Sequence, residues 1–172
     1  MPESSIPIKR AIKMNNANVD AQEIPLPPWS GQAAGFAVKV LDEIKKNDWE
    51  LSILFCGDKT ITELNSRYRN KNEATDILSF NLGETVQEGG KTFYFPGDII
   101  ISLDTLRENA GYFRTPEDEE LRRLLIHGIL HLDGMDHKTN DSLEPMLILQ
   151  EEILTKLKDE RIIEDARRGG KE

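Results

Sequence analysis

Only one cysteine, Cys56, occurs among the 172 residues. That excludes an internal disulfide and any zinc module built on cysteine pairs, and it fits a reducing compartment. Its apolar setting, "ILFCG", reads as a small core residue and not as a ligand or nucleophile. Long hydrophobic runs are missing too: none approaches the ~20 residues that span a bilayer. The opening "MPESSIPIKRAIKMNN" has neither the apolar stretch nor the small-residue cleavage site of a secretory signal. A cytoplasmic globular protein with no membrane partner is therefore expected. Basic residues are in the minority, 22 Lys and Arg against 31 Asp and Glu, for a net charge of -9. Such a surface repels phosphate backbones, so a nucleic-acid substrate would need a local basic site or a partner that delivers it. No internal repeat or long low-complexity segment appears, and the length suits one domain.

What is present is a succession of strand-like and helical stretches. "PIKRAIKMNN" is predicted as a first strand, followed by the proline-punctuated connection "DAQEIPLPPWS". Between Ser30 and Lys46, the residues Ala33, Phe36, Ala37, Val40, Leu41 and Ile44 recur at the helical period. "WELSILFCG" reads as a buried strand, and "DKTITELNSRYRN" as a helix with Asp58 at its N-cap and Ile61, Leu64 and Tyr68 facing inward. "TDILSFNLG" and "YFPGDIIISLD" are two further strands, the second a buried core strand, separated by a mobile Gly-rich loop, "GETVQEGGKT". "LDTLRENAGYF" is a short helix ending near Gly111. In "TPEDEELRRLLIHGILHLDG", Thr115 fits the N-cap, Pro116 the first turn, and Asp118 a capping-box-like pattern, while acidic residues 117 to 120 complement the helix dipole. Leu121, Leu124, Leu125, Ile129 and Leu132 tie this helix to the core, and Gly134 suits a left-handed C-terminal cap. A last helix, "SLEPMLILQEEILTKLK", packs beside it. The expected fold is an α+β single domain over residues 1–172 with a mixed central sheet packed by helices. Its core covers about residues 30–160, and a polar tail, about 161–172, frays.

All three histidines lie in "HGILHLDGMDH", residues 127 to 137. His127 and His131, four apart on one helix, share a face, and Gly134 turns the chain so that His137 arrives from the loop beyond. Three neutral imidazoles leave one position of a tetrahedral ion open for water, the arrangement of a catalytic zinc site. A lone histidine on a helix is usually a satisfied core or surface residue; the third one behind a glycine turn shifts the balance towards metal binding. The spacing H-x-x-x-H-x-x-G-x-x-H is that of the metzincin proteases, with Gly128 where those enzymes carry their general-base glutamate. That substitution argues against a protease.

"HGILHLDGMDH", preceded by "NSRYRNKNEATDILSF" and "FPGDIIIS", resembles the YbeY family of bacterial endoribonucleases over about residues 51 to 155. The resemblance implies a single-strand-specific, metal-dependent endoribonuclease acting in ribosomal RNA maturation, notably at the small-subunit RNA 3′ end, and in ribosome quality control. It implies one Zn2+ per chain on His127, His131 and His137, a functional Arg69, and single-stranded ribosomal RNA with ribosomal or assembly proteins as partners, but no DNA. A guanidinium at Arg69 is a fixed-charge, bidentate phosphate ligand, which supplies the local basic site that the acidic total requires. Lys71 and Arg67 are placed to assist in substrate binding. Asp136 is a candidate for orienting a metal ligand from behind, and Asp133 and Asp136 are the carboxylates nearest in sequence for a general base, with capping as the alternative role for both. Asp76, Ser79 and Asp98 stay unassigned. Two positions depart from the family pattern: Asn81 in "SFN", where "SFP" is usual, and Gln150, where the final helix commonly carries glutamate. Two other readings stay open: a zinc hydrolase of another substrate such as peptide, and a non-catalytic ribosome-assembly factor whose metal pins the helix to its loop.

Overall fold

Strand alternation places two apolar layers on opposite faces of one sheet in the computed structural model, which describes residues 14–164. In chain order the elements are β1 (Asn16–Ala21), α1 (Ser30–Glu43), β2 (Glu50–Cys56), α2 (Asp58–Arg69), β3 (Ile77–Glu88), β4 (Lys91–Ser102), α3 (Leu103–Phe113), α4 (Glu117–Leu132) and α5 (Pro145–Lys156). The strands lie in the order β1-β2-β4-β3, with β1, β2 and β4 parallel and β3 antiparallel at the edge. This is the expected α+β fold with a mixed sheet.

Side chains two apart share a face of a strand. Leu51, Ile53 and Phe55 of β2 and Ile99 and Ile101 of β4 therefore join the larger core cluster with residues of α1, α4 and α5, the last of these helices packing on α4. Cys56, Leu78 and Ile100 face the other way and pack with Ile61 of α2. Helix α4, which carries two histidines, and helix α2, which ends in Arg69, thus cover opposite faces near the same edge strand.

Several expectations need correction. Residues 7–13 of the expected first strand lie outside the described residues, and the observed strand begins at Asn16. The expected Gly-rich loop is the far end of a β-hairpin: residues 84–88 pair with 91–95, and Gly89 and Gly90, both at positive φ, make a two-residue turn. Gly at both central positions is what a primed hairpin turn demands. The N-cap of α2 is Gly57, not Asp58. Its first N–H groups are instead met from a distance, Asp58 N–H donating to Asp104 Oδ2 at 2.9 Å and Thr60 N–H to Glu23 Oε1 at 2.7 Å. Asp58 itself accepts from the hydroxyls of Ser102 and Thr105.

Tyr68 does not face the core; it is 60% exposed. Nor does Thr115 cap α4, whose N-cap is Pro116. Asp118 ties the start of this helix to the far end of the chain. Its Oδ1 accepts the backbone N–H groups of Ile162 and Ile163, each at 2.8 Å, while Oδ2 accepts from Arg122 Nε at 2.9 Å. Ile162 is 1% exposed, so the core runs past the expected limit of residue 160, and it also extends back to Ala17 of β1. Residues 165–172 of the expected tail lie outside the described residues. Gly134, at φ 89°, terminates α4 in the left-handed conformation, as its position implied.

Candidate active site

Helix α4 rests on the sheet through Gly128. A Cβ there would stand 2.9 Å from Ile77 Cδ1 and 3.0 Å from Ile99 Cδ1. Position 128 therefore faces β3 and β4, and the residue before it, His127, turns its ring towards the end of the helix. A glutamate at 128 would be driven into the core, away from the histidines.

The three imidazoles converge. One ring nitrogen from each of His127, His131 and His137 lies within 4.8 Å of the others. The three ring pairs have centroids between 4.6 and 5.4 Å apart. On each ring, Nδ1 faces an oxygen that can only accept: Gln150 Oε1 for His127 at 2.7 Å, the Met135 carbonyl for His131 at 3.0 Å, and the Thr139 carbonyl for His137 at 2.9 Å. Each Nδ1 must then carry the proton, which leaves every Nε2 as a lone-pair donor. His127 Nε2 and His131 Nε2 are 3.0 Å apart. Two acceptors that close repel each other unless they share a cation or a proton. The donor set thus fits a divalent metal ion bound through three Nε2 atoms, as expected of neutral imidazole ligands.

Burial lowers the pKa of His127, against the opposing hydrogen bond it donates to Gln150, and lowers that of His131, against the bond it donates to the Met135 carbonyl. The neighbouring imidazoles push in the same direction, and so, for His131, does the Arg69 charge. Both rings are thereby kept in the neutral form that ligates metal.

Arg69 reaches the site from the other face of the sheet. Asn70, at φ 54°, ends α2 in the left-handed conformation that asparagine tolerates, and Lys71 N–H closes back on the Asn65 carbonyl at 3.2 Å. The buried Asn65 side chain holds the following loop by donating to the Glu73 carbonyl. Arg69 is left at the helix tip beside edge strand β3, where Nη2 donates to the Ser79 carbonyl at 3.0 Å. It lines one cleft of about 420 Å3 together with Ser79, Asn81, His127, His131 and Asp136. Lys71 is exposed and does not line that cleft; Arg67 is exposed on the same helix end.

Asp136 lies with its Oδ1 4.0 Å from His131 Nδ1 and accepts the backbone N–H of His137 at 2.8 Å. The direct hydrogen bond of His131 is to the Met135 carbonyl. Asp133 is ion-paired with Lys46 at 2.6 Å, turned from the imidazoles. Asp76 and Gln150 border a second recess behind His127 and His137, and the Asp76 backbone carbonyl accepts from Ser102 N–H. Asp98 sits in central strand β4 opposite Phe80. The strand that runs along the cleft is β3. Sequence reasoning had no means to find the Met135 and Thr139 carbonyls, since backbone acceptors carry no side-chain signature. Gln150 stood out only as a departure from a pattern, and the structure shows its amide behind His127.

Comparison with known proteins agrees with this geometry. The family described as Endoribonuclease YbeY matches residues 14–158. The chain is 47% identical over 143 residues to "Endoribonuclease YbeY" of Treponema pallidum strain Nichols, covering 83% of this chain and 89% of that one. It is 46% identical over 128 residues to "Endoribonuclease YbeY" of Treponema denticola, covering 74% of this chain and 83% of the relative. The solution structure of TM1509 from Thermotoga maritima shares the fold, with a TM-score of 0.58 at 22% identity, covering 90% of this chain and 99% of that one. With a family match across most of its length and a three-histidine cluster at the end of α4, the chain belongs to the YbeY endoribonuclease family.

Proposed function

We propose that this protein is a metal-dependent endoribonuclease that cuts single-stranded RNA, with Zn2+ held by His127, His131 and His137 and with Arg69 binding the scissile phosphate. The observation that carries the reading is the pair of Nε2 atoms 3.0 Å apart, each on a ring whose Nδ1 faces an acceptor oxygen, in the cleft that also contains the Arg69 side chain. The names of the relatives support RNA as the substrate. Its cellular setting, on this reading, is the cytoplasm, in ribosomal RNA maturation including the small-subunit 3′ end and in ribosome quality control. Ribosomal or assembly proteins then supply the targeting that an acidic surface does not.

The chain's residues divide the work. A bound divalent ion would polarise the phosphate and lower the pKa of an attacking water. Arg69, with one Nη2 proton given to Ser79, keeps further N–H groups for phosphate oxygens and offsets charge that grows on them during attack. Lys71 extends the positive charge along the approach. Gln150 and the Met135 and Thr139 carbonyls hold the imidazoles in one tautomer, and Asp136 fixes the loop that delivers His137 by accepting its N–H. A peptidase of the metzincin type would need a carboxylate at residue 128, where the core leaves no space.

The test is cleavage of a labelled single-stranded ribosomal RNA fragment by metal-quantified protein, with His131→Ala and Arg69→Ala alongside. Cutting by the parent, with about one zinc per chain, and its loss in both folded variants are expected. If all three cut alike, the activity is a contaminant's. If the metal-loaded parent cuts nothing even with ribosomes present, a non-catalytic assembly role replaces the nuclease.

A further inference from the structure

The sheet face covered by α2 carries an aromatic surface for which metal binding and phosphate binding have no use. Tyr68 is 60% exposed, in a helix whose inward face is filled by Ile61 and Leu64. Its ring lies 5.3 Å from that of Phe80 at 62°. The Arg69 guanidinium sits 5.7 Å from the centre of the same Phe80 ring. Phe80 and Ser79 are consecutive on edge strand β3 and point to opposite faces, so Arg69 straddles that edge: it donates to the Ser79 carbonyl, lines the histidine cleft, and flanks Phe80 on the other side. Beyond Phe80 opens a groove of about 500 Å3 lined by Leu54, Leu64, Tyr68 and Ile100, with the carboxylates of Asp20 and Asp98 at its border.

We infer that this groove is a subsite for one unpaired nucleobase of the RNA strand, stacked on the exposed ring of Tyr68 with its edge towards Phe80, while the adjoining phosphate lies at Arg69. The inference rests on the endoribonuclease reading for its ligand. Its occupant follows from the chemistry of the walls. Aromatic faces beside a guanidinium accept bases of any identity, and only an unstacked base can offer its face to them. The acidic border excludes phosphate but accepts from exocyclic amino groups, as carboxylates do from cytosine N4. The backbone therefore stays on the Arg69 side of β3 and the base on the α2 side. A duplex cannot wrap that edge, so the subsite gives a physical reason for single-strand selectivity.

The experiment is equilibrium binding of a fluorescent single-stranded oligoribonucleotide to the full chain, with cleavage of the same oligonucleotide measured in parallel. Parent, Tyr68→Ala and Tyr68→Phe are compared on the normal strand and on strands with one abasic position moved stepwise. Tyr68→Ala should weaken binding about 5- to 150-fold, the range of one lost base–aromatic stack, and raise KM far more than it lowers kcat. Tyr68→Phe should bind as the parent does. On the strand whose abasic position falls in the groove, parent and Tyr68→Ala should bind alike. Because Tyr68 is exposed, its removal leaves the core intact, and an unchanged melting curve confirms that. If folded Tyr68→Ala binds and cuts like the parent on every strand, the subsite is refuted while the nuclease reading stands. If the metal-loaded parent neither binds nor cuts single-stranded RNA, the nuclease reading falls and takes the subsite with it.

Discussion

Replacing Gly128 with alanine sets two effects of opposite sign against each other. In the middle of α4, alanine is intrinsically the better helix former by about 1 kcal/mol. The new Cβ, however, would stand 2.9 Å from Ile77 Cδ1 and 3.0 and 3.2 Å from Ile99 Cδ1 and Cγ1. Ile99 is fully buried, so the methyl group cannot swing into solvent, and overpacking of this kind costs about 1–3 kcal/mol. The net expectation is a loss of up to ~2 kcal/mol, or a few degrees in melting temperature for a chain of this size. Truncating the obstructing atom tests the cause: Ile77→Val alone should cost about 0.5–1.5 kcal/mol, yet in the Gly128→Ala background it should cost much less or become stabilising. Thermal melts of the metal-free parent, both single variants and the double variant measure the coupling. The same displacement of α4 would move His127 against Gln150, so zinc affinity should fall with stability and recover in the double variant. A Gly128→Ala protein that melts several degrees above the parent, with no coupling to Ile77, would refute the packing explanation. Gly128→Glu should fail to fold, since it buries an unpaired carboxylate between two isoleucines, and should gain no peptidase activity.

Gln150→Leu removes the acceptor behind His127 and should weaken zinc binding by about 10- to 100-fold in a chelator competition, whereas Gln150→Glu, which keeps an oxygen there, should bind at least as tightly as the parent. In metal-free protein the lowered pKa values of His127 and His131 mean that the unfolded chain binds more protons than the folded one in the interval just below the ordinary imidazole value, so stability should decline as pH falls through about 6.5 and level off only below the lowered values. Urea midpoints across pH 5 to 8 would show it, and a flat profile, or the opposite slope, would contradict the assignment. Cys56, whose thiol is pushed up to about 12 first by burial and then by the carboxylates of Glu23, Asp58 and Asp104, should resist alkylation in native protein and react once urea unfolds it.

The histidine cluster was legible because its chemistry is local. An i, i+4 pair on a helix and a glycine turn bring the three rings together with little help from the rest of the chain. Arg69 was legible only through a family pattern, since its place beside β3 depends on α2 and β3 meeting from opposite faces of the sheet. The hairpin tip at residues 83–92 was misread because it is polar but for Val86 and exposed on both sides, and such a ribbon shows none of the alternation that marks a half-buried strand. Thr115 had the right neighbours for an N-cap, but the acidic first turn of α4 is organised around Asp118, whose partners are 44 and 45 residues away. Tyr68 followed the helical period of Ile61 and Leu64, yet the helix end overhangs the sheet at that point.

The hold of Asp118 on Ile162 and Ile163 also has a bearing on how the protein is made. Synthesis runs from the N-terminus, so Arg69 and all three histidines are already linked when the last described residues are still to be added. A nascent chain stopped before Ile162 would leave the start of α4 with a mostly buried carboxylate lacking two of its three donors. The first turn of the helix that positions His127 and His131 thus takes two of its tethers from residues translated about thirty positions after them. A chain cut before Ile162 therefore carries all four of these side chains and yet begins α4 two hydrogen bonds short.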